Sequence, residues 1–242
     1  TPSLFGVLGR MAPRAIIRSL SRTSIAVAAL TIAISVIIGV SVMIGSFRNT
    51  VANWLDNTLV ADIYISPPSL TANQATVDVD PVLGELVAEV EGVERVATSR
   101  TVQVNAPDYP NLPPVNLVVV DFDLAGDARE FIWLSADDAT EALETERIMV
   151  SEPFAFRRGI TQENNSLTIL SPEGEKTFEV FGVFYDYSTD QGTVVMGRDT
   201  YNLYWNDPFV SAVAAFVAPS TDLNTVIEAI EDTVLADYDV EI

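Results

Sequence analysis

Residues 23–47 read TSIAVAALTIAISVIIGVSVMIGSF, 25 consecutive positions with no charged side chain and no proline. As a helix this run extends about 37 Å at about 1.5 Å per residue, against a hydrocarbon layer of about 30 Å. Such a helix is apolar on every side, which suits lipid or the middle of a large core. The chain after it is too polar to wrap a core helix all round. A cleaved signal peptide is the other alternative, with an apolar run of about 7–15 residues ending at a small-x-small site. Here the run is longer and closes on Arg48. A transmembrane helix over 23–47 is the expectation. The sequence begins at Thr1 rather than Met, so the expectation includes a longer parent protein with further spans.

Charge is distributed unevenly about this helix. Residues 1–55 hold five arginines and no acid; residues 56–242 hold the other eight basic residues and all 34 acids, a net charge of −26. Basic residues flanking a span stay on the cytoplasmic side. Arg10, Arg14, Arg18 and Arg22 precede the span, and Arg48 alone follows it closely. The amino end is therefore expected in the cytoplasm and the chain beyond about residue 50 outside. A domain of this charge repels phosphate backbones, which excludes nucleic acid as an expected partner. There is no cysteine. A large exported domain without disulfides fits a bacterial periplasm or exterior, and about 190 residues can bury a core unaided.

The four leading arginines recur every four residues, with Ile16, Ile17 and Leu20 on another face. Residues 1–22 read as a cytoplasmic amphipathic basic segment lying on the inner membrane surface. It is either a plain topology anchor or a lever for a cytosolic partner. Within the span small residues stand four apart as Ala29 and Ala33, Ser35 and Gly39, Ser41 and Gly45. Such pairs allow a second helix to approach closely. Residues 48–58 keep helical spacing through Val51, Trp54 and Leu55, and read as a stalk with Trp54 at the interface.

The outer chain reads as an α+β domain. Residues 59–65 alternate like a strand and stop at Pro67-Pro68. Asp80 caps a helix with Pro81 at its first position, its apolar face is Val82, Leu83, Leu86, Val87 and Val90, and Gly92 ends it. Strands follow at 93–104 and 115–120. Near the carboxyl end the pattern returns: a strand over 209–217, a helix opened by Asp222 with Leu223, Val226, Ile227 and Ile230 inward, and a strand from Asp239. Leu83, Leu86, Val87 and Val90 match the four apolar positions of the second helix at a constant offset of 140. Two such units suggest a split βαβ, ferredoxin-like layer with its helices on one face. Its halves are expected at 59–123 and 209–242.

Residues 124–208 are expected to form an inserted, mainly β lobe. It begins with a helix over 125–133. A strand at 147–150 and a helical turn at 153–158 follow. Next come strands at 166–170 and 176–184 joined by Pro172-Glu173-Gly174-Glu175, then a strand at 193–196 and a helix at 199–204.

Catalytic groups are scarce. The chain has no His and no Cys, which removes His general bases, Cys nucleophiles and the usual zinc sets. Its one lysine, Lys176, follows a hairpin turn. Asp186 and Asp190 with Tyr185 and Tyr187 form the densest candidate for a cation site, and are read as a solvated acidic loop instead. Phe131, Trp133, Tyr201, Tyr204 and Trp205 are read as core before they are read as a lipid or cargo patch. No cofactor or metal is expected.

Taken in order, several short motifs resemble a known family. They are Ser46-Phe47-Arg48, Trp54-Leu55, Ala61-Asp62-Ile63-Tyr64, Val150-Ser151-Glu152-Pro153-Phe154-Ala155 and Gly182-Val183-Phe184-Tyr185-Asp186-Tyr187. Together they resemble the first span and first extracytoplasmic domain of an FtsX-like, MacB-type ABC transporter permease, over nearly the whole chain. The resemblance implies a periplasmic domain inserted after the first span. It also implies a non-catalytic permease subunit, paired with a second permease and with a cytosolic ABC ATPase subunit, that converts ATP-driven closure into motion outside the membrane. A periplasmic adaptor or a cargo protein would be its outer partner, and lipoprotein or peptide its cargo. The alternative is the ectodomain of a membrane-anchored sensor, whose parent would have one further span and a long soluble region. An anchored hydrolase is disfavoured by the missing catalytic residues.

Overall fold

The computed structural model describes residues 20–58, 61–68, 78–121, 129–186, 188–219, 221–233, 238, 240 and 242. Residues 1–58 and 59–242 form two compact units.

The described residues of the first unit form one helix, α1 (Leu20–Thr58), of 39 residues. Within Ser24–Ala52 an 18-residue window reaches a mean hydropathy of 2.7, and none of that window is buried. Two hydroxyls on this apolar surface are satisfied by the helix itself: Thr31 donates to the Val27 carbonyl at 2.8 Å and Thr50 to that of Ser46 at 3.0 Å. The helix runs unbroken from the expected span through the expected stalk.

In the second unit, β1 (Ile63–Ile65), α2 (Val82–Ala88), β2 (Val93–Val104) and β3 (Val115–Val120) come first. The chain continues through β4 (Phe131–Leu134), α3 (Ala139–Leu143), β5 (Arg147–Ser151), α4 (Glu152–Arg158), β6 (Ser166–Ser171) and β7 (Gly174–Phe184). It ends with β8 (Val194–Gly197), α5 (Arg198–Tyr204), β9 (Ala212–Val217) and α6 (Leu223–Thr233). The sheet order is β1-β9-β2-β3-β8-β5-β7-β4, with β6 also on β7.

Strands β1 and β2 both run antiparallel to β9, which lies between them, so they are parallel to each other. Joined through α2, they make one split βαβ unit. Leu83 and Val87 of α2 and Val226 and Ile230 of α6 pack on one core with Ile63, Ile65, Val213 and Ala215. Both helices thus cover the same sheet face. The helix starts follow the expected chemistry: Asp80 Oδ1 accepts the Val82 N–H at 3.0 Å, and Asp222 Oδ1 accepts from Asn224 and Thr225. Gly92 turns the chain into β2 at φ +97°, and a Cβ there would stand 2.7 Å from Thr221 Cγ2 and 2.9 Å from Val226 Cγ2. The expected last strand begins at Asp239, outside the described residues; Tyr238 and Val240 pack against the same core.

Beyond β2 the sheet curls. Strands β3, β8, β5, β7 and β6 follow in turn, and the Leu170 N–H of β6 returns to the Asn105 carbonyl just past β2 at 2.8 Å. Leu117, Val119, Ile148, Val150, Val180, Val194 and Met196 fill the concave side. Their neighbours Val120, Met149 and Val195 face a second core under α3 on the convex side. Period-two alternation therefore serves two cores, and these strands read as continuous apolar runs. In β7 a bulge inserts one residue opposite Ile148 and Met149, so that Phe181 and Phe184 face the convex core while Val180 and Val183 face the concave one.

The structure departs from the sequence expectations at several points. Residues 131–133, expected at the end of a helix, belong to strand β4, which pairs with the end of β7; residues 125–128 lie outside the described residues. The edge of β7 needs a partner there, and Phe131 and Leu134 come within 3.2 Å of the space beside Gly182, a space a larger side chain would fill. Helix α3 was not anticipated, although Asp138 caps it by accepting from Thr140 at 2.7 Å and Glu141 at 3.1 Å. Strand β9 starts at Ala212 rather than Phe209. Residues 124–208 do not stand apart as a lobe: β8 pairs in parallel with β3, and one sheet crosses both expected boundaries. The apolar run Val115–Val120 takes a strand on each edge, which joins the two regions.

Candidate functional site

Two features have functional weight: the uncovered apolar helix and a buried ionic junction in the second unit. On α1, Ala29, Ala33, Ser35, Gly39, Ser41, Gly45 and Arg48 are all exposed. Beside Gly39 and Gly45 there is open space where a side chain would stand. At about 100° per residue the three small pairs lie about 120° apart around the axis. They mark three faces of close approach rather than one seam. Arg10, Arg14 and Arg18 lie outside the described residues, as do the side chains of Arg22 and Trp54.

The junction forms where β2 changes partners. Ser99 pairs with Ala212 of β9 on one side and with Val120 of β3 on the other. The next residue, Arg100, is 7% exposed. Its Nε donates to Asp207 Oδ2 at 2.8 Å, and its Nη1 lies 2.7 Å from Asp78 Oδ1, off line for a good hydrogen bond. Asp207 Oδ2 also accepts the Tyr201 hydroxyl at 2.8 Å, and its Oδ1 accepts the Phe209 N–H at 3.2 Å. Tyr201 stacks on Trp205 with ring centres 4.9 Å apart. Alongside, Ser211 donates its N–H to the Ser99 carbonyl at 2.7 Å and accepts the Thr101 N–H on Oγ at 3.1 Å. Four segments from both cores meet here: the lead-in to α2, strand β2, helix α5 and the loop before β9.

The electrostatics match the geometry. Burial pushes the Asp207 carboxyl up, but hydrogen bonds from Tyr201 and Arg100 outweigh it and hold the group below its ordinary value. Burial and donation to Asp207 raise the Tyr201 phenol well above its ordinary range. Burial disfavours the Arg100 cation, yet Asp207 and Asp78 outweigh that and raise its pKa. With its charges engaged in this way, the cluster is a fastening.

The other residues singled out in the sequence are dispersed. Tyr201 and Trp205 are in the concave core, Trp133 and Tyr204 pack against it, and Phe131 belongs to the convex side, so they form no common patch. Lys176 Nζ sits 4.7 Å over the Tyr204 ring, whose hydroxyl donates to Glu146. Asp186 accepts from the Ser188 N–H and hydroxyl, and the Asp190 carbonyl accepts from Arg157. No group of three His, Cys, Asp or Glu able to hold a metal occurs among the described residues. Arg158, missed in the sequence, is buried with its guanidinium 3.9 Å over the Phe154 ring and one donor on the Pro113 carbonyl at 3.1 Å. Arg100 was likewise missed. Its one signal was an arginine midway along an apolar-periodic strand.

The described residues thus combine one uncovered apolar helix, long enough to cross a membrane, with a split βαβ layer that continues into a curled sheet. The family model for the MacB-like periplasmic core domain matches residues 23–233, and the chain belongs to that family. It is 37% identical over 231 residues to an uncharacterized ABC transporter permease protein of Mycobacterium tuberculosis. That match covers 94% of this chain and 27% of the relative, so the chain spans about a quarter of its length. Among solved structures, the periplasmic region of MacB from Actinobacillus actinomycetemcomitans superposes with a TM-score of 0.52 at 9% identity, covering 77% of this chain and 90% of that one. The extracellular domain of the noncanonic ABC-type transporter YknZ from Gram-positive bacteria gives 0.52 at 13% identity, covering 74% and 95%. These two similarities establish the fold. The chain is thus a member of the MacB-like periplasmic core domain family with one apolar helix near its amino end among the described residues.

Proposed function

We propose that the chain supplies the first span and the outer domain of an ABC transporter permease subunit and acts mechanically rather than catalytically. A separate cytosolic ABC ATPase subunit hydrolyses ATP, and the motion is delivered outside to export or release a lipoprotein, peptide or similar cargo. The absence of His and Cys favours a non-catalytic role. Residues 1–22 lie on the cytoplasmic face of a bacterial inner membrane, 23–47 cross it and 48–58 form the stalk. The arginines at 10, 14, 18 and 22 favour this orientation. The small pairs along α1 favour packing against a second permease or other spans. The outer domain meets an adaptor or the cargo.

The observation that carries this reading is the unbroken α1. At about 1.5 Å per residue it measures about 58 Å, against a hydrocarbon layer of about 30 Å. A continuous helix carries a displacement of its inner end to its outer end without a hinge. The Arg100 junction complements it by making the outer domain one stiff body.

The test is Arg14→Glu with Arg18→Glu in the assembled transporter. ATP hydrolysis is expected to continue while cargo release falls. Unchanged release per ATP refutes the lever. The chain has no cysteine, so Asp190→Cys provides the one thiol within residues 1–242, whose labelling by a membrane-impermeant reagent is read against the unsubstituted transporter. It is expected to label from outside in both backgrounds, which separates uncoupling from wrong insertion.

A further inference from the structure

Beside the Arg100 junction the outer unit has a cleft of about 340 Å³. Among the described residues its walls are Pro67, Pro68, Val79, Tyr238 and Val240, and its charged groups are the carboxylates of Asp78 and Asp80. Among the described residues no basic side chain lines it. Pockets for small ligands occupy about 300–1,000 Å³ and combine apolar walls with a few placed polar groups.

Each carboxylate is anchored through one oxygen. Asp78 Oδ1 lies 2.7 Å from Arg100 Nη1, and Asp80 Oδ1 accepts the Val82 N–H at 3.0 Å. Among the described residues, neither Oδ2 atom has a hydrogen-bond partner. Val79 between them bridges antiparallel to Val210, so the segment is extended and its alternate side chains share one side. Arg100 neutralises part of the Asp78 charge and leaves the pair net negative, within a chain already rich in acid.

The lining discriminates among ligand classes. An anion meets two carboxylates and no cation. A neutral apolar ligand strips water from the free oxygens and returns no hydrogen bond. A cation without a stem leaves the proline, valine and tyrosine walls unused. We propose that the cleft binds a primary ammonium on a short aliphatic stem, either a free amine or a lysine side chain. The ammonium donates to the free oxygens of Asp78 and Asp80, and the stem lies along the prolines. Because Asp78 is shared with Arg100, occupancy draws on the exposed arm of the junction while Asp207 keeps the buried arm.

The experiment titrates n-butylammonium into the 242-residue chain in nanodiscs and follows the backbone amide resonances of Val79 and Tyr238. Butanol and butyrate serve as equal-stem controls, and acetyl-Gly-Lys-Gly-amide tests the lysine source. Saturable shifts are expected with a cationic probe and none with butanol or butyrate. Asp80→Asn keeps a side chain that caps α2 while removing the charge. It is expected to weaken the affinity at least fivefold, as is Asp78→Asn. Equal saturation by butanol, or an affinity unchanged in Asp80→Asn, overturns the proposal. Binding of the peptide assigns the site to a lysine side chain, and binding of butylammonium without the peptide assigns it to a free amine.

Discussion

Replacing Arg100 with methionine retains most of the aliphatic stem and removes the guanidinium. Asp207 then stays at the junction with only the Tyr201 hydroxyl and the Phe209 N–H to hold its charge. Removing one partner of a buried ion pair costs about 3–5 kcal/mol, because the other charge remains. The Asp207 side chain is 20% exposed and draws some compensation from water, so the lower end applies. The Asp78 side chain is 52% exposed, and its arm adds no more than about 0–1 kcal/mol. The loss is therefore about 3 kcal/mol. At about 2–4 °C per kcal/mol for a domain of this size, the midpoint falls by about 6–12 °C. Unfolding of the chain in neutral detergent, followed by tryptophan fluorescence, reads this through Trp205 on its Tyr201 stack. Asp207→Asn and the double variant complete a cycle. Its coupling energy is expected within about 0.5–3 kcal/mol, with the double variant less damaged than the sum of the singles. A loss under about 1 kcal/mol for Arg100→Met, or strict additivity, refutes the junction as a fastening.

The remaining predictions concern pH and the chain turn at Gly92. The Asp207 carboxyl lies below its ordinary value of 3.8 in the folded state, so its stabilisation is complete above that value and is lost as pH falls through the folded one. Acid unfolding of the native chain is expected to include this loss below about pH 4, and Asp207→Asn to lack it; identical acid limbs contradict the assignment. Gly92→Ala places a methyl at φ +97° against Thr221 and Val226 and is expected to cost about 1–3 kcal/mol, measured by urea unfolding.

Much of the fold was legible because its signals are local. The long apolar helix, the caps at Asp80 and Asp222, and strands β2 and β3 follow from composition and periodicity within a few residues. The hairpin at Pro172 to Glu175 was legible from its turn residues. Strand β4 was not, because Phe131, Ile132, Trp133 and Leu134 become a strand through the exposed edge of β7 and the space beside Gly182. Joining 124–208 to the rest was not legible either, since the β3–β8 pairing links Val118 to Val195, far apart along the chain. The junction belongs to this second kind. Arg100 meets Asp207 across 107 positions, and no spacing within β2 announces the partner. With 34 acids in the chain, any arginine has many candidate partners in sequence. Burial decides among them, because an arginine at the centre of a two-sided strand has to take its counter-charge inside. The buried arginine in an apolar strand is therefore the legible half of the site, and the curl of the sheet supplies the other half.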